Sequence, residues 1–264
     1  MGFAASSDTL VEKSWAQLSD KEVSDWSEVA LTINPTKWKH GETEHFVIHY
    51  FRYGQLIATR SEKFYDRIRE FFGNRPDQLP GHKSHIFAFH EPADWRAFVE
   101  KIELPESCWG VTHGDEFFYF TKGERSEFDY DARVQAHEMT HLVFNRFFVG
   151  RLPLWLNEGV AEYFAQHTNI AEFRRYMRKS RRFKLDKLFT AKGYPEDKIK
   201  LGAFYAEASA VVDFMTYTPD RSALLPKCIE AMIHEYDMQT LSEIYGYLNE
   251  DDFKKAYERY RMLY

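Results

Sequence analysis

His137-Glu138-Met139-Thr140-His141 places two histidines four residues apart with a glutamate directly after the first. On a helix, positions i and i+4 lie one turn apart on the same face, with about 5–6 Å between Cβ atoms. Two imidazoles so placed can both hold one zinc ion at about 2.0–2.1 Å. Glu138 is offset around the helix, so it reaches a water beside the metal without taking a coordination position. The chemistry implied is metal-assisted hydrolysis with a carboxylate as general base. An ordinary helix carrying two unrelated histidines gives the same five letters in a chain with 11 His, so the neighbouring residues have to decide.

A catalytic zinc site needs a third protein ligand and an open position. The helix after His141 is expected to run to Gly150, a good terminating residue. Leu152-Pro153 then turns the chain, and Leu154-Trp155-Leu156-Asn157-Glu158-Gly159-Val160-Ala161-Glu162-Tyr163-Phe164 starts the next helix. His141 lies nine residues before Gly150 and Glu158 eight after it. If the two arms fold back antiparallel, Glu158 returns to the level of the histidines and completes a His₂Glu set for one Zn²⁺ per chain. Glu162, one turn beyond Glu158, shares its face. It is placed to accept the outer ring N–H of a metal-binding histidine, the other reading being an exposed helix carboxylate.

His137-Glu138-x-x-His141 followed by Asn157-Glu158-Gly159 resembles the gluzincin branch of zinc metallopeptidases, which includes thermolysin and the zinc aminopeptidases. Leu154 to Gly159 is especially similar to the aminopeptidase version, with a slightly shorter gap that implies a tighter turn. The resemblance implies Glu158 as third ligand and Glu162 as a support of the ligands. It also implies Tyr205, in Tyr205-Ala206-Glu207-Ala208-Ser209, as the phenol that donates to the tetrahedral oxyanion. The alternative for Tyr205 is packing, as one of 16 tyrosines. The order of elements from 45 to 217 fits the family, while only 137 to 164 is specific to it. The rest is similar to small peptidase-MA-like proteins with a minimal zincin domain. In that pattern Trp109 to Phe120 lines the substrate cleft, peptides add to it as a strand, Gly110 suits close backbone approach, and His113 stands near the metal or is a loop histidine. One departure is clear: the Gly-x-Met-Glu-Asn of the aminopeptidases is absent, so an amino-terminal exopeptidase is not supported.

The positioning elements follow from periodicity. Strands are expected at 45–50, 84–90, 109–111 and 116–120, and helices at 55–72 and 91–102. From 130 onward the pattern is helical, with helices at 132–148, 154–167, 203–217, 222–236 and 252–262. The expected fold is α+β and zincin-like: an extension over 1–40, an α/β lobe with a small mixed sheet over 41–125, and an all-helical lobe over 126–264. The two lobes would act as one catalytic unit with the active-site cleft between them. Residues 11–26 are given at most a short helix.

Composition sets the limits. The 264 residues are 44% hydrophobic and 29% charged, which is a globular composition. A net charge of −6 gives no general pull toward nucleic acid or anionic membrane. The basic run Arg174 to Lys187 reads as a solvated helix end and loop, against a patch for acidic ligands or nucleic acid. Cys108 and Cys228 lack metal-type spacing and read as free, part-buried thiols. No apolar run approaches the ~20 residues of a membrane helix, and Met1 to Leu10 has no signal-peptide pattern, though a trimmed signal fits an exported protein equally well. The expected function is a zinc metallopeptidase acting on peptide or protein substrates, with no nucleic-acid partner. The rivals are a zinc hydrolase of a non-peptide substrate and a zincin-like binding module without turnover. The oligomeric state is not legible.

Overall fold

A computed structural model describes residues 8–73, 75–106, 108–125, 130–166, 170–234 and 236–263. The chain forms two compact units, one up to Phe147 and one from Phe148 on. The architecture is mixed α+β with a six-stranded mixed sheet.

The first unit holds β1 (Val11–Lys13), α1 (Asp25–Thr32), β2 (Lys39–Glu42), β3 (Phe46–Tyr50), α2 (Gly54–Phe72), β4 (Ser84–Phe89), α3 (Pro92–Lys101), β5 (Gly110–His113), β6 (Glu116–Phe120) and α4 (Tyr130–Phe147). The strand order is β1-β2-β3-β4-β6-β5. The pairs β3–β4 and β4–β6 are parallel, and the others antiparallel. Every residue of β3, β4 and β6 is buried. This is why these strands read as continuous apolar runs rather than alternations. Phe87, Phe89, Phe118 and Phe120 face a core shared with Ala30 of α1 and Trp95, Phe98 and Val99 of α3. Each such Phe contributes about 1.5–3 kcal/mol by leaving water. The opposite face carries α2 and α4, and α4 packs on α2, β5 and β6. The sheet unit thus takes α4 with it, beyond the boundary at 125 drawn from sequence.

Residues 11–40, read as part of an extension, supply β1, α1 and the start of β2. Their apolar content is thin because polar clasps hold them. Glu42, buried, accepts from Lys13 Nζ at 2.8 Å, Ser19 Oγ at 2.9 Å and Lys83 Nζ at 3.1 Å. Glu116, also buried, accepts from Ser24 N at 2.9 Å, Ser24 Oγ and Ser27 Oγ at 2.7 Å. In place of a helix, 11–26 holds β1, a 3-10 turn at Trp15–Gln17 and the start of α1. A row of imidazoles crosses this region: His40 Nδ1 to His49 Nδ1 at 2.7 Å, then His49 Nε2 to His85 Nδ1 at 3.0 Å. His49 and His85 are fully buried.

The second unit is helical: α5 (Leu154–Gln166), α6 (Ile170–Lys179), α7 (Leu185–Phe189), α8 (Lys198–Thr216), α9 (Pro219–Ser222), α10 (Leu225–His234), α11 (Met238–Ile244) and α12 (Glu250–Arg261). His167, the expected end of α5, lies outside the described residues. Gly150 sits beyond the end of α4 rather than capping it. Its φ of +125° and the Ile233 Cγ2 only 2.3 Å from where a Cβ would stand both require glycine. Within the basic run, Arg182 is bound at Nε to both oxygens of fully buried Glu207 at 3.0 Å and at Nη2 to Glu258 at 2.8 Å. Tyr257 Oη donates to the same Glu207 at 2.6 Å. One arginine of the run is therefore structural. Both cysteines are free, Cys108 partly and Cys228 fully buried. Among the described residues no helix is long and apolar enough to cross a membrane.

Candidate metal centre

α4 carries His137, Glu138 and His141, with Glu138 turned toward β5. Two Nε2 atoms bound tetrahedrally at 2.0–2.1 Å stand about 3.3 Å apart. In the structure His137 Nε2 and His141 Nε2 are 3.1 Å apart, with the rings crossed at 79°. The i, i+4 spacing has thus converged both rings on one point. Glu158, 3% exposed, is contributed by α5. One ligand atom from each of His137, His141 and Glu158 lies within 4.8 Å of the others, and this group could hold a metal ion. A buried carboxylate requires a cation or hydrogen-bond donors, and this one has a donor: Tyr194 Oη gives its proton to Glu158 Oε1 at 2.6 Å. Two imidazoles and a carboxylate are a donor set of the kind that zinc sites use.

Glu138 is 6% exposed and faces β5. Thr112 Oγ1 donates to its Oε2 at 2.8 Å and lies 3.1 Å from its main-chain oxygen. Gly110 lies directly below: a Cβ there would be 2.7 Å from Glu138 Oε1 and 2.8 Å from Val134 Cγ1. The resemblance implies a close backbone approach at Gly110, and among the described residues Glu138 makes such an approach. Cys108 Sγ donates to Gly110 O at 2.8 Å. Burial, and after it the charge of Glu138, push this thiol up to about 12, so it stays protonated.

The remaining expected residues are placed as follows. Glu162, half-buried, accepts from Gln166 Nε2 at 3.0 Å. Tyr205 sits in α8, with its ring stacked on Tyr194 at 6.2 Å and 28°. His113 is the last residue of β5. Its ring stacks on Trp26 at 4.3 Å, and its Nε2 is 3.8 Å from Asp25. It belongs to the α1 side of the sheet and is not among the grouped ligands. Asp115 and Glu116, which follow β5 in sequence, are occupied by His82 Nε2 at 2.6 Å and by the Ser24–Ser27 clasp. Thr112 and Tyr194 were missed from sequence. Thr112 alternates with Gly110 on β5, a signal that strand periodicity could have carried. Tyr194 lies in a loop 36 residues from Glu158, and no local pattern marks it.

Gly159, next to Glu158, is buried where α5 meets α8. A Cβ there would stand 2.7 Å from Ala208 O. The Glu-Gly dipeptide thus combines a candidate ligand with a close helix crossing. No protein-family model matches the chain, and no curated protein matches it either.

Proposed function

We propose that this chain is a zinc-dependent peptide hydrolase of zincin-like type, with His137, His141 and Glu158 as ligands and Glu138 as general base. The observation that carries the reading is the convergence of one ligand atom from each of the three residues within 4.8 Å. Zinc held there would lower the pKa of a water and polarise the scissile carbonyl. Glu138 takes the proton of the attacking water on its carboxylate and returns it to the leaving nitrogen. Tyr205 is assigned the hydrogen bond to the oxyanion. Tyr194 holds one oxygen of Glu158 and so orients the other. Peptide as the substrate class is supported by the gluzincin-like phrase Leu154 to Gly159.

The test is metal analysis of the purified chain, followed by cleavage profiling on a mixed peptide library. The expected result is one zinc per chain and peptide cleavage. Glu138→Gln should keep the metal and lose turnover by roughly 10²-fold or more. A chain that takes up no zinc, or a Glu138→Gln variant with undiminished turnover, refutes the reading.

A further inference from the structure

We propose that strand β5 positions the general base: the Thr112 hydroxyl fixes the rotamer of Glu138, and Gly110 provides the space into which its carboxylate is turned. This rests on Glu138 being the base of the hydrolase proposed above. A threonine hydroxyl has one proton to donate. Both acceptors within reach, Oε2 at 2.8 Å and the main-chain oxygen at 3.1 Å, belong to Glu138. The contact closes a ring from the Glu138 carbonyl through the hydroxyl to its own carboxylate. Only rotamers that fold Oε2 back toward the carbonyl satisfy it, out of the several staggered states a glutamate otherwise samples.

The other oxygen is directed at Gly110. A Cβ at 110 would lie 2.7 Å from Oε1, 2.9 Å from Cγ of Glu138 and 2.8 Å from Val134 Cγ1. A side chain at 110 would therefore force Glu138 or Val134 to shift. Gly110 pairs with Tyr119 and Thr112 with Phe117, so the two project from the same face of β5, toward α4. A slip of one residue would present Val111 instead and lose both contacts. The bond from Cys108 Sγ to Gly110 O pins the peptide plane at this point. With Thr112 on Oε2, Oε1 is the oxygen assigned to proton transfer. Thr112 and Gly110 are thus positioning residues that act through Glu138.

The test compares Thr112→Val with Thr112→Ser in the full chain loaded with one equivalent of zinc, using fluorescein-labelled casein as probe. Thr112→Val is expected to lower kcat roughly 10- to 100-fold, the penalty for a displaced reacting group. KM and zinc affinity should stay within about twofold. Thr112→Ser, which keeps the donor, should recover most of kcat. A second measurement needs neither metal nor turnover: urea unfolding of the metal-free Thr112→Val, Glu138→Ala and double variants. The double variant should lose less in midpoint than the two single losses combined. Wild-type kcat in Thr112→Val, or additive midpoint losses, overturns the proposal. If the wild-type chain takes up zinc but cleaves neither casein nor a peptide library, the hydrolase reading alone fails. The metal-free cycle then still decides whether Thr112 holds Glu138.

Discussion

Replacing Gly159 by alanine tests how Glu158 is placed. The new Cβ would lie 2.7 Å from Ala208 O, 2.9 Å from Ala208 C and 3.0 Å from Val212 Cγ2. Ordinary contact begins at 3.4 Å, so 3.4 less 2.7 leaves a shortfall of 0.7 Å. The obstacle is main chain, and no rotamer change relieves it, so α5 has to draw back from α8. Overpacking of this kind costs about 1–3 kcal/mol, and a main-chain clash belongs in the upper part of that range. Alanine is better than glycine in a helix by about 0.8–1.0 kcal/mol, which offsets part of the cost. The net expectation is a loss of about 1–2 kcal/mol in urea unfolding of the metal-free chain. The same withdrawal moves Glu158, one residue away, and metal bonds tolerate only about ±0.2 Å. Zinc affinity, read by competition with a chromogenic chelator, should fall roughly tenfold or more. A Gly159→Ala chain with an unchanged midpoint and zinc affinity within about twofold would refute the claim that the close helix crossing sets the ligand.

Two further outcomes are expected. Stability of the metal-free chain should decline as pH falls from 6.5 to 4. Burial pushes His85 down from 6.5 to about 4, and burial, with His85 and His40 beside it, holds His49 well below the usual range. The unfolded chain gains protons first in that window, so stability is complete above pH 6.5 and is lost on acidification. The loss is about 3 kcal/mol from His85 alone, at ~1.4 kcal/mol per pH unit. Glu42 does not compete there. Burial raises it, but the bonds from Lys13, Ser19 and Lys83 outweigh this and bring it from 4.5 to about 2, so its contribution goes only at lower pH. A flat unfolding profile between pH 7 and 4.5 would contradict this account. Tyr194→Phe should weaken zinc binding roughly tenfold by freeing Glu158 Oε1, with the far-UV spectrum unchanged; equal affinity would remove Tyr194 from the site.

The pairing of His137 and His141 was legible because the helical repeat alone suffices for it, and Glu158 was legible from its place early in the next helix. Strands β3, β4 and β6 were legible because burial on both faces leaves an unbroken apolar run. The strands β1 and β2 were not, since Val-Glu-Lys and Lys-His-Gly-Glu have no apolar alternation. Their order comes from carboxylates such as Glu42, whose partners at Lys13 and Lys83 are scattered along the chain. Thr112 and Tyr194 failed to show for the same reason. Each acts on a residue in another element, 26 and 36 positions away. Helices α6 and α7 were read as a helix end and loop because arginine and lysine dominated the window. The anchor of that segment, the Arg182–Glu207 pair, is again long-range.

The two ends of the sheet are unlike. β1, at one end, is three residues long and includes Glu12 and Lys13, a short charged border that discourages further pairing. β5, at the other, is half-exposed. The bond from Phe120 N to Trp109 O places the odd-numbered residues of β5 in its ladder with β6, so the main-chain groups of Gly110 and Thr112 face outward. An extended segment added at this edge would run at the usual spacing of about 4.8 Å from the strand that holds Glu138, with Gly110 O already accepting from Cys108 Sγ. A second, misfolded copy and a peptide would compete for the same border. If a peptide is bound along β5, as the proposed function expects, the same contact would cover the edge at which another copy could add a strand.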